Sequence, residues 1–159
     1  MSSILETLTV DWPDEAACAA SATRLARHAG LADATIELHG PLGAGKTTFV
    51  RHLLHALGVP GRVKSPTYAL MESYDVAHDG ALLPIWHFDF YRFDDPQEWE
   101  DAGFRDVFAT KGLKLVEWPE KAEGLLPRAD LRVFIEPEAD EQRSVSITAH
   151  TPLGMELIA

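Results

Sequence analysis

The run Gly40-Pro41-Leu42-Gly43-Ala44-Gly45-Lys46-Thr47 satisfies the pattern G-x-x-x-x-G-K-[ST] at every specified position, and Thr48 follows it. Its spacing has a physical reason. Glycines let the backbone curl until successive N–H groups point inward at phosphate oxygens, and a helix that begins at the lysine directs the positive end of its dipole at the same charge. Gly40, Leu42, Gly43, Ala44, Gly45, Lys46, Thr47 and Thr48 are therefore expected to surround a bound phosphate chain. Lys46 would reach the β- and γ-phosphates, and the Thr47 hydroxyl would ligate Mg²⁺. The motif by itself does not choose between ATP and GTP. It also leaves open hydrolysis, phosphoryl transfer to an acceptor, and binding without chemistry.

Phosphate chemistry of this kind needs a carboxylate near the metal, commonly at the end of a buried strand. Asp89 ends the run Leu83-Pro84-Ile85-Trp86-His87-Phe88-Asp89, and Glu117 ends Leu113-Lys114-Leu115-Val116-Glu117. Either could hold Mg²⁺ directly or through water while the other orients or deprotonates the attacking water. The residues alone leave the two roles interchangeable. His87 and Asp89 form His-x-Asp, but no further ligand stands at a zinc-like spacing, so His87 reads as structural. Ser65, Pro66 and Thr67 lie between the loop's helix and the next strand, where a γ-phosphate-sensing switch is often found; Ser-Pro also simply opens turns. Tyr91 and Arg92 could face the site, and Trp118 reads as core.

These groups must be positioned by the elements around them. Thr35 to His39 is a short β-branched and apolar strand running into the glycine loop, and Lys46 to Leu57 is a helix with apolar residues near helical spacing that stops at Gly58. Upstream, Ile4 to Val10 reads as a strand, with Pro13 in the first turn of a helix over Ala16 to His28 that Gly30 ends. Ala69 to Tyr74 and Leu82 to Asp89 read as strands around Asp79-Gly80, with a connection longer than a minimal hairpin loop. Asp95-Pro96 with Glu98 marks a helix start. Leu113 to Glu117 is another strand, and Leu131 to Glu136 with Val145 to His150 forms a terminal hairpin around Asp140-Glu141. The expectation is an α/β fold: one P-loop NTPase domain over residues 1–159, with a mixed, mainly parallel sheet flanked by helices.

The chain has 159 residues, 46% of them hydrophobic, which suits one soluble core. A net charge of −11, from 14 basic and 25 acidic residues, opposes unaided binding to a nucleic-acid backbone. Any nucleic-acid contact would then run through partners. No apolar stretch is long enough for a membrane span, and the first residues lack a signal-peptide pattern, so a cytoplasmic location without membrane contact is expected. Cys18, the single cysteine, sits among alanines as a small apolar helix residue.

Taken in order, the phosphate loop, Lys64-Ser65-Pro66-Thr67-Tyr68, His87-Phe88-Asp89-Phe90-Tyr91-Arg92 and Val116-Glu117-Trp118-Pro119-Glu120 closely resemble the bacterial TsaE (YjeE) family, ATPases of tRNA threonylcarbamoyladenosine biosynthesis. The resemblance covers most of residues 34–136 and is loose in the first helix and after Pro137. It implies a compact P-loop ATPase that assists a threonylcarbamoyl transferase complex modifying the adenosine next to the anticodon. It further implies that Lys46 binds phosphates, Thr47 and Glu117 contact Mg²⁺, Asp89 serves hydrolysis, Ser65 to Thr67 form the switch, and Trp118 sits beside the site. Family members also contact base or ribose through terminal segments, to which Asp14, Glu15 and Arg143 are loose matches. Pro41 departs from the family, which commonly has an acidic residue there.

Three functions remain in play. The first is a Mg²⁺-dependent ATPase, slow alone and stimulated by the transferase complex. The second is a small-molecule kinase, for which no acceptor domain or arginine-rich lid is evident. The third is a nucleotide-gated binding module without significant hydrolysis. A GTPase is disfavoured, since no Asn-Lys-x-Asp guanine-reading segment is present.

Overall fold

The computed structural model describes residues 3–63, 66 and 70–159. The expected switch residues Ser65 and Thr67 lie outside this set, whereas Pro66 is described and buried. Among the described residues, seven strands form one sheet: β1 (Glu6–Trp12), β2 (Thr35–His39), β3 (Met71–His78), β4 (Ala81–Asp89), β5 (Leu113–Glu117), β6 (Leu131–Pro137) and β7 (Arg143–Ala149). Their order is β1-β7-β6-β2-β5-β4-β3. The middle strands β6, β2, β5 and β4 run parallel, and the outer pairs β1/β7, β7/β6 and β4/β3 are antiparallel. The sequence suggests a mixed, mainly parallel sheet; the sheet is mixed, with its parallel pairings in the middle.

The α-helices are α1 (Glu15–Ala26), α2 (Lys46–Ala56), α3 (Pro96–Ala102), α4 (Phe104–Ala109) and α5 (Pro152–Ile158). One sheet face packs on α1, α2 and α5. Ile36 and Leu38 of β2, Leu113 and Leu115 of β5, and Leu131, Val133 and Ile135 of β6 meet Phe49, Val50, Leu53 and Leu54 of α2 there. The period-2 alternation of the strands and the apolar stripe of α2 make that match possible. Trp12 at the end of β1 stacks on Phe49, with ring centroids 5.4 Å apart, and its indole Nε1 donates to Ser21 of α1 at 2.9 Å. The edge strand and α1 are thereby tied to the helix that begins at Lys46.

A second, aromatic core covers β4 and β5 on the opposite face. Phe88 stacks on Phe108 at 4.6 Å and meets Phe104 edge-on at 5.3 Å, while Phe90 contacts Phe93, Trp99 and Phe104. Such pairs add about 0.5–1.5 kcal/mol each beyond their burial. They fix the point where β4 leaves the sheet after Asp89. Helix α3 starts as the sequence suggests, with Asp95 as N-cap, Pro96 in the first turn and Glu98 completing a capping box.

Several expected boundaries move. The first strand shifts two residues later because Leu8, Val10 and Trp12 are the positions that alternate into the core. Pro13 precedes α1 rather than entering its first turn, since the Asp14 side chain takes the N-cap role and accepts from the Ala17 N–H at 2.9 Å. Gly30 does not end that helix; α1 closes at Arg27, and Gly30 falls in a 3₁₀ turn over Ala29–Asp33. The β3/β4 connection is a minimal two-residue hairpin after all. Asp79 and Gly80 both have positive φ, 52° and 81°, which suits the right-handed twist of paired strands. Helices α4 and α5 had no counterpart in the sequence reading.

The Trp12–Phe49 stack makes a stability prediction. Phe49→Ala should lower the unfolding free energy by about 3–5 kcal/mol, read as a lower urea midpoint at an unchanged slope. A loss below about 1 kcal/mol would show that α2 is held in place without it.

Candidate functional site

The carboxyl ends of β2, β5 and β4 lie side by side, which is where α/β sheets commonly place ligands. After His39 the chain enters the glycine loop and then α2. Gly45 caps that helix with φ 106°, and Gly43 has φ 78°, a backbone region that side chains with a Cβ rarely adopt. Gly40 is required for a different reason: a Cβ there would stand 2.6 Å from the Ile135 carbonyl oxygen of β6 and 3.0 Å from the Ala44 methyl. The loop therefore packs onto the end of β6 with no room for a side chain at Gly40.

A pocket of about 400 Å³ opens over the loop. Leu42 to Thr48 line it from below, and Asp89, Tyr91, Glu117, Trp118 and Arg143 line its walls. The expected loop residues and both strand-end carboxylates are thus brought together. Asp89 and Glu117 are partners in register across β4 and β5, so neighbouring strand ends supply two acids at one level of the site.

The two acids have different surroundings. Glu117 is 2% exposed and takes a bifurcated hydrogen bond from the Thr47 hydroxyl, 2.9 Å to Oε1 and 3.1 Å to Oε2. Its Oε2 also lies 2.6 Å from His87 Nε2. Asp89 is only partly buried, and its Oδ1 accepts from the Tyr91 backbone N–H at 3.0 Å. Burial raises the Asp89 pKa above the ordinary value, with the Tyr91 hydrogen bond opposing that rise and the Glu117 charge adding to it.

Lys46 is 4% exposed. Its Nζ donates to the Gly40 carbonyl at 2.5 Å and sits 3.4 Å from the centroid of the Trp118 ring. Burial lowers its pKa, while Glu117, Glu120 and Asp89 pull it back up. Trp118 reaches this position through a left-handed backbone, φ 56° and ψ 48°, which costs a bulky residue about 1–3 kcal/mol. It also packs against Tyr91, with centroids 4.9 Å apart. Trp118 is consequently a wall of the site rather than a core residue.

Arg143, from the start of β7, crosses 99 residues of sequence to hold the loop. Its Nε donates to the Ala44 carbonyl at 2.7 Å, and a terminal nitrogen approaches the Gly43 carbonyl at 3.4 Å. Beyond it lies a second pocket of about 280 Å³, floored by Ala44, Gly45 and Thr48 and walled by Trp12, Asp14, Glu15, Asp140 and Glu141. The loose terminal matches Asp14, Glu15 and Arg143 therefore converge beside the loop. Cys18 lies at the bottom of this pocket, and burial pushes its thiol up to about 12, which leaves it an unreactive apolar filler.

The donor set suits a hard cation bound mainly through phosphate and water. Thr47 and Glu117 would offer it oxygen ligands, and Mg²⁺ typically takes one or two such groups and completes its shell from the nucleotide. Among the described residues no three His, Cys, Asp or Glu side chains are grouped as a protein cage for a metal.

Comparisons with known proteins give the family. The family model "Threonylcarbamoyl adenosine biosynthesis protein TsaE" matches residues 12–145. The chain belongs to the TsaE family. A TsaE protein of Haemophilus influenzae is 47% identical over 78% of this chain and 75% of its own length. That of Bacillus subtilis is 40% identical over 72% of this chain and 68% of its own. The crystal structure of Bacillus subtilis YdiB superposes with a TM-score of 0.77 at 28% identity, covering 99% of this chain and 95% of that one. Within this TsaE fold, sequence reasoning missed the part His87 plays in the site, although its i, i+2 relation to Asp89 already put both on one strand face. The Arg143 strut had no local signal.

Burial of Asp89 carries a stability consequence. Because the native state holds this proton more tightly than the unfolded chain, stability falls as pH rises above the ordinary value of 3.8. Asp89→Asn should therefore melt higher than the wild type at pH 7. The difference should vanish in melts below pH 3.8, where the native and unfolded carboxyls are both protonated. Equal melting at both pH values would contradict the assignment.

Proposed function

We propose that this chain binds MgATP in the loop pocket, hydrolyses it slowly, and through that cycle serves threonylcarbamoylation of tRNA as an accessory to a threonylcarbamoyl transferase complex. The observation that carries the reading is the Thr47–Glu117 pair beside the glycine loop, on a chain of the TsaE family. Relatives in Haemophilus influenzae and Bacillus subtilis are named for tRNA threonylcarbamoyladenosine biosynthesis. A chain with net charge −11 favours reaching tRNA through partner proteins, and no helix among the described residues is long and apolar enough to cross a membrane. The cytoplasm, where such a complex would meet tRNA, is the proposed location.

In this reading the loop N–H groups and the start of α2 bind the phosphates. Lys46 leaves the Gly40 carbonyl and the Trp118 face to meet the β- and γ-phosphates, an exchange of one set of contacts for a stronger, charge-assisted one. Thr47 and Glu117 would hold Mg²⁺, which would supply positive charge against the charge developing on the phosphates. Asp89, partly open to the pocket and with a raised pKa, orients the attacking water and takes its proton. The second pocket, beyond Arg143, receives the base and ribose; its Asp14, Glu15, Asp140 and Glu141 walls offer acceptors to the hydroxyls and amino group. Turnover is slow because the cations lining the pocket are Lys46 and Arg143, the latter held by the Ala44 and Gly43 carbonyls, and a partner-supplied arginine commonly adds about 10³–10⁵ in rate.

A kinase would require an acceptor site, and the pocket walls beside the loop are Asp89, Tyr91, Glu117, Trp118 and Arg143. A binding module without hydrolysis would leave the burial of Asp89 without a use.

Reconstitution with purified transferase complex, ATP and tRNA tests the proposal. Lys46→Ala should weaken ATP binding at least about tenfold through loss of a charged hydrogen bond. Asp89→Asn should retain ATP while its hydrolysis and the supported tRNA modification fall by about 10²–10⁴. Arg143→Ala should weaken ATP by about 10–100-fold, since the strut carries a charged hydrogen bond to the loop. Full tRNA modification with Asp89→Asn would sink the hydrolytic reading, and an acceptor-dependent phosphorylated product would replace it with the kinase.

A further inference from the structure

His87 is 0% exposed, yet its ring does more than fill the sheet. Nε2 stands 2.6 Å from Glu117 Oε2, the shortest of the hydrogen bonds around that carboxylate. Its Nδ1 has no hydrogen-bond partner among the described residues. A carboxylate can only accept, so the hydrogen lies on Nε2 and is donated to Glu117. The residue opposite His87 on β5 is Leu115, and Glu117 is one step of the same face further along. The ring therefore leans along the sheet toward the site, spending its one satisfied contact on Glu117.

Resting on the MgATP reading above, we propose that His87 is a positioning residue for the cation site: it clamps Glu117 from the sheet side so that the carboxylate edge stays turned to Thr47. A glutamate has a freely turning terminal torsion, and the Thr47 hydroxyl alone provides a single hydrogen shared between both oxygens. With Nε2–H on Oε2, the carboxylate is held at two points and cannot swing toward Lys46, whose charge attracts it. The Thr47 hydroxyl, donating to Glu117, is ordered together with it. The clamp thus orders both oxygen ligands before any cation arrives. Outer partners of ligating groups have this effect elsewhere, and their loss typically costs about 10–100-fold in metal affinity.

The alternative is that His87 merely satisfies a buried acid and matters for folding alone. The two differ in the Mg²⁺ dependence of binding. ATP affinity is measured by calorimetry in Mg²⁺ and in EDTA for wild type, His87→Gln, whose amide nitrogen can reach the Nε2 position, and His87→Asn, whose amide cannot. Retention of the wild-type Mg²⁺ increment is expected for His87→Gln, and a reduction of about 10-fold for His87→Asn, with affinity in EDTA changed by less than about twofold. Mn²⁺ bound with ADP, followed by electron paramagnetic resonance, should weaken in the same order. In a Glu117→Gln background the His87→Asn change should leave the increment unaltered. A full increment in His87→Asn, or equal losses in Mg²⁺ and EDTA, overturns the clamp while leaving the MgATP reading intact. A wild type with no Mg²⁺ increment overturns both.

Discussion

A carboxylate sealed to 2% exposure and a lysine sealed to 4% stand a few residues' reach apart at the ends of adjacent elements, and their desolvation must be met by specific donors and acceptors. Glu117 is met by Thr47 and His87, and Lys46 by the Gly40 carbonyl and the Trp118 ring. Each partner comes from a different element: the start of α2, the middle of β4, the end of β2 and the turn after β5. The rest of the structure holds these four elements in register. If any of them slipped by one residue, a buried charge would lose its partner.

The two cores serve that requirement from opposite faces. On one, Trp12 and Phe49 fix α2 against the sheet, so that Lys46 and Thr47 start at a set height. On the other, the Phe88, Phe90 and Phe104 cluster fixes the exit of β4, so that Asp89 ends level with Glu117. The Asp89 N–H donates to the Leu70 carbonyl and the Phe90 N–H to the Glu117 carbonyl, which ties the strand ends together beside the pocket. At Trp118 a left-handed backbone, unfavourable in isolation, is offset by packing on Tyr91 and Lys46.

The loop itself was legible as a sequence, because G-x-x-x-x-G-K-[ST] describes a local backbone path whose glycines are needed wherever the loop occurs. The short strand before it and the helix after it were legible for the same reason: periods of two and of about 3.6 are local. The strand ends at Asp89 and Glu117 fell at the stated residues. The Asp79-Gly80 turn, by contrast, was expected to be longer than it is, because β3 extends past Tyr74 through Asp75-Val76-Ala77-His78, where Asp75 and Ala77 weaken the strand signal. The short helices α4 and α5 escaped notice because each spans less than two full turns and is stabilised by packing rather than propensity.

Sequence alone determined that a phosphate-cradling loop stands between a strand and a helix, with two acids at strand ends available to it, and the ordered motifs pointed to the TsaE family. Only the tertiary structure distinguished the acids. Asp89 and Glu117 look alike along the chain, each closing an apolar run, but one is sealed against Thr47 and His87 while the other stays partly open with a raised pKa. The same holds for Arg143, which supports the loop from 99 residues away, and for the pocket that gathers Asp14, Glu15 and Asp140 beside it. Burial and long-range hydrogen bonding are properties of packed elements, so residue type and spacing along the chain do not carry them.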